Sequence, residues 1–386
     1  MALLGDFAKE LAHTPKLLVD DEVVQRMLPG MQEAAKKLAD AAKKGRSVLV
    51  RFHCDADGIT SGVALYNALR GARMSIVQNN SAVYEVKEAV RDLSGVLGQQ
   101  NALFVLADFG ANEESAEALS LLKAAGIEIL VIDHHPPAQK TVALLSHFVS
   151  PHKEGMQGTS DYTAGFLCAH IAKIAGANEE FMDELAGISL IGDKSKFAPA
   201  NEELVKKALV LDYLSSFGNF PNAGEFYTKM LLKKELWMEF YTKAQEKIDE
   251  IRKQAAAVCK VSAENGVGIV VVPLEKLAPY SEKYEFPSKG KVCGIAFEAL
   301  RENGKAFVGI GHSKKTVNFR ASREATAKGF SARKIIGELK VELPNCIEAG
   351  GGHDAAASMK IREECEGIVL EAALKKTKEW AAGAKN

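Results

Sequence analysis

Residues 47–58 read SVLVRFHCDADG, an apolar run that passes directly into a histidine and two aspartates. Its first six residues have the length and composition of a buried strand. The glycine that ends the stretch indicates a turn, and a helix is predicted to follow at 61–69. Because ligands of parallel α/β sheets bind where the strands end, His53, Asp55 and Asp57 are candidate site residues.

Three more segments show the same pattern, in which an apolar run ends on an acid or a histidine. The runs are ALFVLA at 102–107, IEILVI at 127–132 and a shorter one at 188–191, and the residues after them include Asp108, Asp133, His134, His135 and Asp193. A stretch of helical composition at 113–125 separates the first two runs. Strands that alternate with helices predict an α/β fold built on a parallel sheet.

Such a sheet would bring several carboxylates and imidazoles to one edge. Carboxylates that crowd together repel each other unless cations neutralise them. Oxygen ligands with one or two imidazoles suit Mn²⁺ or Mg²⁺ better than they suit metals that prefer sulfur. We therefore expect two divalent metal ions, Mn²⁺ as the first choice and Mg²⁺ as the second, because a pair about 3.5–4 Å apart activates water in phosphoryl displacement.

Each motif has a simpler explanation when it is taken alone. An aspartate after a strand commonly caps a helix or belongs to a turn. Two adjacent histidines are weakly specific for any chemistry. The combination of four such segments in strand and turn contexts is what favours a metal site.

The composition is that of an ordinary folded protein with room for more than one domain. The chain has 386 residues, of which 47% are hydrophobic and 26% charged. At about 150 residues per domain, this length predicts two or three domains with their own cores. The 49 basic residues balance 50 acidic ones, which excludes a uniformly basic surface but is compatible with a local basic face.

Several features predict a cytoplasmic protein without membrane association. The longest aliphatic runs, at 129–132 and 269–272, are far too short to span a bilayer. The first ten residues, MALLGDFAKE, lack the apolar stretch of a signal peptide. The six cysteines form no CxxC pair, so we expect reduced thiols and no zinc site built on cysteine.

The pattern along the chain predicts four parts. They are an N-terminal helical segment at 1–45, a catalytic domain at 46–234, a connector helix at 235–262 and a second α/β domain at 263–386. The connector is predicted because 235–260 mixes charged and apolar residues without glycine or proline. In the second domain, strands are predicted at 267–272, 292–297, 306–310 and 316–320, and helices around 332–340 and 363–381.

The four segments also resemble those of a known superfamily. HCDADGITSG, LADFG, VIDHH and IGDK, in that order, resemble the signature blocks of the DHH phosphoesterases, which take their name from the triplet at 133–135. GGGHDAAA at 350–357 resembles the motif of a C-terminal domain found in many members, and VNFRAS at 317–322 resembles its nucleotide-contacting strand. The DADGITS block is most similar to RecJ-like exonucleases, particularly the compact archaeal type.

The resemblance implies a fold and a set of metal ligands. The expected fold is a parallel-sheet DHH domain joined by a long helix to a smaller α/β DHH-associated domain, with an active-site cleft between them. The residues that match metal ligands are His53, Asp55, Asp57, Asp108, His134 and Asp193. Among these, Asp108 matches the ligand shared by both metals. Asp133 matches a residue that orients a histidine, and His135 one that contacts the scissile phosphate or assists the leaving group.

The resemblance also implies a substrate-binding site in the second domain. Its residues are Arg320, Gly350, Gly351, Gly352 and His353. Consecutive glycines let a backbone approach a phosphate closely, and free amides can surround it. An arginine presents a forked guanidinium that suits phosphate, and a histidine adds one more donor.

The implied function is a metal-dependent exonuclease of single-stranded DNA and/or RNA. RecJ-like enzymes suggest 5′→3′ polarity, release of 5′-mononucleotides, and a role in DNA repair and replication with GINS or a helicase as partner. One alternative is a phosphodiesterase of small substrates such as nanoRNA, cyclic dinucleotides or 3′-phosphoadenosine 5′-phosphate. Another is a non-catalytic replication scaffold that binds GINS, although the intact ligand set argues against lost catalysis.

Overall fold

A computed structural model describes residues 15–96, 101–156, 160–218, 220, 222–278 and 286–383. The chain separates into two compact units, one that ends at Tyr241 and one that begins at Thr242. Within the described ranges, no helix has both the length and the apolar character needed to cross a bilayer. The four-part division at 1–45, 46–234, 235–262 and 263–386 stays a prediction, and residues 1–14 of its first part lie outside the described ranges.

The first unit is built on a five-stranded parallel sheet with the strand order β2-β1-β3-β4-β5. The strands are β1 (Val48–His53), β2 (Met74–Asn79), β3 (Leu103–Ala107), β4 (Glu128–Ile132) and β5 (His147–Val149). The order changes direction between β1 and β3, which is where ligands bind in open parallel sheets.

Helices cover both faces of this sheet, as a parallel sheet requires. They are α1 (Glu22–Lys43), α2 (Ala56–Ala68), α3 (Val86–Val96), α4 (Ala116–Ala124), α5 (Gln139–Val142), α6 (Ala164–Ile174), α7 (Glu179–Gly192), α8 (Glu202–Ser215) and α9 (Ala223–Leu232). Alternate strand residues enter two apolar cores: Val48 and Val50 pack with α1, α2 and α6, whereas Leu49 packs with Phe104 and α4.

Helix α2 begins earlier than the predicted range 61–69. Asp55 is its N-cap, because the Oδ1 atom accepts a hydrogen bond from the amide of Gly58 at 2.9 Å. The stretch that indicated a turn is therefore the first helical turn. Gly58 is needed here because a Cβ atom at this position would lie 2.2 Å from the carbonyl oxygen of His53.

The second unit carries a six-stranded mixed sheet with the order β10-β11-β9-β8-β7-β6, in which only β7 and β8 run parallel among the described pairs. The strands are β6 (Lys260–Glu264), β7 (Val267–Pro273), β8 (Phe307–Ser313), β9 (Thr316–Ala321), β10 (Ile347–Gly352) and β11 (Ala356–Ile361). Helix α10 (Lys234–Val258) contains the boundary between the two units. The other helices of the second unit are α11 (Leu274–Leu277), α12 (Lys289–Leu300), α13 (Arg323–Ala327), α14 (Ala332–Glu342) and α15 (Glu366–Gly383). The predicted α/β class, with a parallel sheet and a second α/β domain, is confirmed.

Three features of the second unit differ from the sequence expectation. The predicted strand at 292–297 is part of helix α12, where Val292, Cys293, Ala296 and Phe297 are buried with helical spacing. Strand β10, which lies outside the predicted strands, contains the three glycines of the GGGH motif. Cys346 and Cys365 form a disulfide, which contradicts the expected reduced state for this pair.

Candidate metal centre

The predicted site residues meet at the carboxyl edge of the parallel sheet. His53 ends β1, Asp108 directly follows β3, and Asp133 directly follows β4. The amide of Asp108 donates to the carbonyl oxygen of Ile132 at 2.9 Å, which holds the end of β3 against β4. Asp193 comes from a different element, since it is the C-cap of α7.

Six of the predicted residues form two clusters whose potential ligand atoms lie within 4.8 Å of one another: His53, Asp55 and Asp108, and Asp57, His134 and Asp193. A third group, Asp108, His134 and His135, overlaps both clusters. In the first, the Nδ1 atom of His53 lies 2.9 Å from Asp55 Oδ2 and 3.4 Å from Asp108 Oδ2. In the second, the Nε2 atom of His134 lies 3.5 Å from Asp57 Oδ2 and 3.3 Å from Asp193 Oδ2.

Asp108 lies between the two clusters. While its Oδ2 atom faces His53, its Oδ1 atom lies 3.4 Å from the Nε2 atom of His134. The side chain is 1% exposed, and neither oxygen accepts a hydrogen bond from any described residue. Its backbone has a φ of 66°, a strained conformation of the kind that is found at functional sites. A buried carboxylate of this kind fits a divalent cation, which would satisfy both oxygens.

Burial and mutual repulsion destabilise the charged forms of the carboxylates Asp57 and Asp193. Burial, with the negative charges of Asp108 and Asp193, raises the pKa of Asp57 well above its usual value. Burial and the nearby aspartates also raise the pKa of Asp193 to about 6. Burial opposes the charged form of His134, yet the close carboxylate of Asp108 and the surrounding acids raise its pKa well above 6.5. Bound cations would relieve this crowding of negative charge.

Asp57 is held by the start of a helix that the sequence did not connect with it. Its Oδ2 atom accepts a hydrogen bond from the amide of Ala164 at 3.0 Å, and Oδ1 accepts one from the amide of Gly165 at 2.6 Å. The hydroxyl of Ser189 donates to Oδ1 at 2.6 Å. The positive end of α6 thus stabilises and orients this carboxylate.

Asp133 contacts both the backbone and the ring of His135. Its Oδ1 atom accepts from the backbone amide of His135 at 3.0 Å and lies 2.8 Å from the Nδ1 atom of the ring. Burial opposes the charged form of Asp133, but the neighbouring His135 lowers its pKa below the usual value. The ring of His135 is 36% exposed, so a substrate can reach it.

His152 is a further site residue that the sequence analysis missed. It lies in a 3-10 helix (Pro151–Glu154) after β5, where its ring donates a hydrogen bond to the backbone carbonyl of His134. Its Nε2 atom is buried and has no hydrogen-bond partner among the described residues. Burial lowers the pKa of His152. The run HFV before Ser150 could have indicated this residue, because it repeats the pattern of a strand that is followed by polar residues.

The predicted substrate-binding residues lie together in the second unit. Arg320 on β9 is opposite Ala356 on β11, and Gly352 on β10 is opposite the next residue of β11. The guanidinium of Arg320 donates to the carbonyl oxygens of Phe319 and Gly290 at 2.7 and 2.8 Å, which fixes its position.

Strand β10 has an open stretch of backbone at Gly351. A Cβ atom on Gly351 would meet no described atom within 4 Å, whereas one on Gly350 would lie 2.7 Å from Met359. Gly352 has a φ of 132°, and the amide of His353 donates to the carbonyl oxygen of Ala356 at 2.8 Å to close the hairpin.

Comparison with known proteins identifies the first unit. Residues 47–192 match the model of the DHH family, N-terminal domain. An uncharacterized protein of Methanocaldococcus jannaschii is 27% identical over 93% of this chain, and the chain spans 55% of that protein's length. The single-stranded-DNA-specific exonuclease RecJ of Haemophilus influenzae is 24% identical over 92% of this chain and 70% of its own.

Two solved structures share the fold. The DHH domain of a protein described as a member of a ribosomal protein family is 26% identical, with a TM-score of 0.85 over 98% of this chain and 96% of its own. Thermus thermophilus RecJ in complex with Mn²⁺ is 18% identical, with a TM-score of 0.61 over 100% of this chain and 59% of its own. Residues 47–192 thus belong to the DHH family, and the acid and histidine clusters of this unit suit divalent metal.

Proposed function

We propose that this chain is an exonuclease that hydrolyses single-stranded DNA and/or RNA from the 5′ end and releases 5′-mononucleotides. The observation that carries the proposal is Asp108, a buried carboxylate with one oxygen toward each ligand cluster. The similarity to a single-stranded-DNA-specific exonuclease supports the substrate class.

In this proposal, the two clusters hold two metal ions. His53 and Asp55 bind one ion, Asp57, His134 and Asp193 bind the other, and Asp108 is shared. The mixture of carboxylate oxygen and imidazole nitrogen favours Mn²⁺, with Mg²⁺ as the alternative. When bound, the pair supplies an activated water and neutralises charge on the phosphate.

The remaining residues position the substrate and handle protons. Asp133 holds the His135 ring through its Nδ1 atom, which leaves the other edge of the ring to contact the scissile phosphate or to protonate the leaving oxygen. Arg320, Gly350, Gly351, Gly352 and His353 bind a phosphate or nucleotide of the strand. Loss of Arg320 should weaken substrate capture more than turnover.

The proposal extends to the cellular role. Because the proposed substrates are cellular nucleic acids, we expect the enzyme to act in the cytoplasm in DNA repair or replication. GINS or a replicative helicase is the expected protein partner. Co-elution of the chain with purified GINS in size-exclusion chromatography would support the partner, and separate elution at micromolar concentrations would exclude it.

A time course with end-labelled strands tests the activity. The substrates are dinucleotides and long DNA and RNA strands labelled at either end, each incubated with Mn²⁺. The proteins are the wild type, Asp108→Asn and a control variant at a half-exposed acid, Asp249→Asn. We expect immediate release of labelled mononucleotide from 5′-labelled long strands by wild type and control only. Cleavage of dinucleotides alone would make the chain a small-substrate phosphodiesterase. No metal-dependent cleavage of any substrate would favour the scaffold alternative.

A further inference from the structure

The outer strand of the parallel sheet has an edge that pairs with no described strand. Strand β2 is first in the strand order, and among the described residues it pairs only with β1. Its sequence, MSIVQN, contains no charged residue, proline or glycine. Natural sheets normally protect edge strands with such residues, because a free edge pairs readily with another chain.

A cavity of about 630 Å³ runs along this edge. Its lining includes every residue of β2 from Met74 to Gln78, together with Tyr66, Asn222 and Glu225. Successive residues of a strand point to opposite faces of the sheet. A cavity that touches five in succession must therefore lie beside the strand rather than over one of its faces.

A second cavity, of about 440 Å³, lies next to the same strand and is positively charged. Met74, Ser75 and Val77 line it from β2, and Arg73 and Arg91 are its exposed basic residues. Neither arginine forms an ion pair with a described acid. The other charges of this cavity cancel, because the buried guanidinium of Arg51 pairs with Asp92 at 2.6 and 2.7 Å.

We propose that the β2 edge binds an extended, acidic segment of a partner protein, which adds a sixth strand to the sheet. Backbone amides of the segment would pair with β2, and its side chains would alternate between the two cavities. Acidic side chains fit the arginine cavity, and uncharged ones fit the cavity beside Tyr66 and Ile76, which Asn222 and Glu225 also line.

Charge and hydrogen bonding select this occupant over others. A second copy of the chain would offer its own β2, but residues 70–84 contain two arginines and no acid. It would therefore bring no carboxylate to the arginine cavity. A nucleic acid could contact the arginines, but it lacks the regularly spaced backbone amides that complete a strand edge.

The register identifies the backbone groups that the partner would use. The amide of Val48 donates to the carbonyl oxygen of Arg73 at 2.9 Å, and Val48 is opposite Met74. In a parallel pair, alternate residues bond to the neighbouring strand. Met74, Ile76 and Gln78 therefore direct their backbone groups outward, and Ile76→Pro removes the central outward N–H without removing a bond to β1.

Fluorescence anisotropy with a labelled peptide tests the proposal on the full-length protein. The probe is a peptide of about nine residues that alternates glutamate and valine, long enough to span β2. Control peptides group the same residues in two blocks, or replace glutamate with lysine. The protein variants are Ile76→Pro with its control Ile76→Val, and Arg73→Glu/Arg91→Glu with the exposed control Lys36→Glu.

We expect only the alternating acidic peptide to bind, with affinity lost in Ile76→Pro and reduced about tenfold in the double arginine variant. Both control variants should bind normally, and all folded variants should keep the wild-type rate of phosphodiester hydrolysis. Equal binding of all three peptides, or none, would overturn the proposal. So would a dimer that Ile76→Pro dissociates, or displacement of the peptide by single-stranded RNA or DNA.

Discussion

At the scale of single residues, Asp108 connects the fold with the chemistry. Its left-handed φ and its buried oxygens, which accept no hydrogen bond from the described residues, are costs that a folded chain normally avoids. Both costs have an explanation if the carboxylate binds cations. The sequence could predict that Asp108 belongs to the site from its place after an apolar run, but not that it lies between two ligand clusters.

Replacement of Asp108 by asparagine should separate metal binding from folding. The metal-free variant should be at least as stable as the wild type, because it no longer buries a charge without hydrogen bonds. When the free Mn²⁺ concentration is a hundred times Kd, binding should raise the unfolding free energy of the wild type by about 2.7 kcal/mol. The same Mn²⁺ concentration should stabilise the variant much less. Thermal unfolding with chelator and with Mn²⁺ measures both effects; equal stabilisation of both proteins would contradict the assignment.

Replacement of Asp133 by asparagine should impair turnover rather than binding. The variant loses the charged partner that orients His135, so we expect kcat to fall about 10–100-fold with little change in KM. Steady-state kinetics on a single-stranded substrate measures the split. A large rise in KM with unchanged kcat would instead indicate that Asp133 contributes to substrate binding.

At the scale of elements, hydrophobic runs predicted the strands better than the helix boundaries. The predicted strands at 102–107 and 127–132 correspond to β3 and β4 within one residue, because both are buried aliphatic runs. The run at 292–297 is equally apolar but helical, and such a run alone does not distinguish the two. Strand β10 was missed because its glycines have low strand propensity.

Two glycine substitutions test why α2 begins where it does. Gly58→Ala places a Cβ atom 2.2 Å from the carbonyl oxygen of His53, so we expect a loss of about 1–3 kcal/mol in unfolding free energy. The matched control is Gly95→Ala in α3, where a Cβ atom would meet no described atom within 4 Å. This control should gain about 0.5–1 kcal/mol in unfolding free energy. Urea unfolding measures both, and equal effects would contradict the close approach.

At the scale of the whole molecule, the sequence predicted the α/β class and the residues that gather at the carboxyl edge. It could not predict contacts made between distant segments. The helix that begins at Ala164 holds Asp57, and the turn at His152 approaches His134, but neither segment carries a motif that shows this pairing. Such contacts depend on how helices pack on the sheet, which local patterns do not encode.

A half-buried ion-pair cluster makes stability depend on pH in acid. Lys37 and Arg46 lie 3.1 and 2.7 Å from the Glu128 carboxylate. Burial opposes the charge, but these cations lower the pKa of Glu128 to about 2. Because the folded pKa is lower than the unfolded value, the stabilisation is complete above about pH 4.5 and is lost as the pH falls toward 2.

Comparison of the wild type with Glu128→Gln isolates this contribution. After allowance for solvent screening, we expect the wild type to be about 1–2 kcal/mol more stable at pH 7. The difference should shrink steadily between pH 4.5 and 2. Chemical unfolding at several pH values gives it directly, and a difference that stays constant over this range would exclude the assigned ion pairs.

The most direct measurement of the central claim is anomalous diffraction from crystals of the full chain grown with Mn²⁺. We predict two anomalous peaks about 3.5–4 Å apart, with one oxygen of Asp108 beside each. His53 and Asp55 should ligate the first ion, and Asp57, His134 and Asp193 the second. A single peak, or peaks that do not contact Asp108, would contradict the two-metal account.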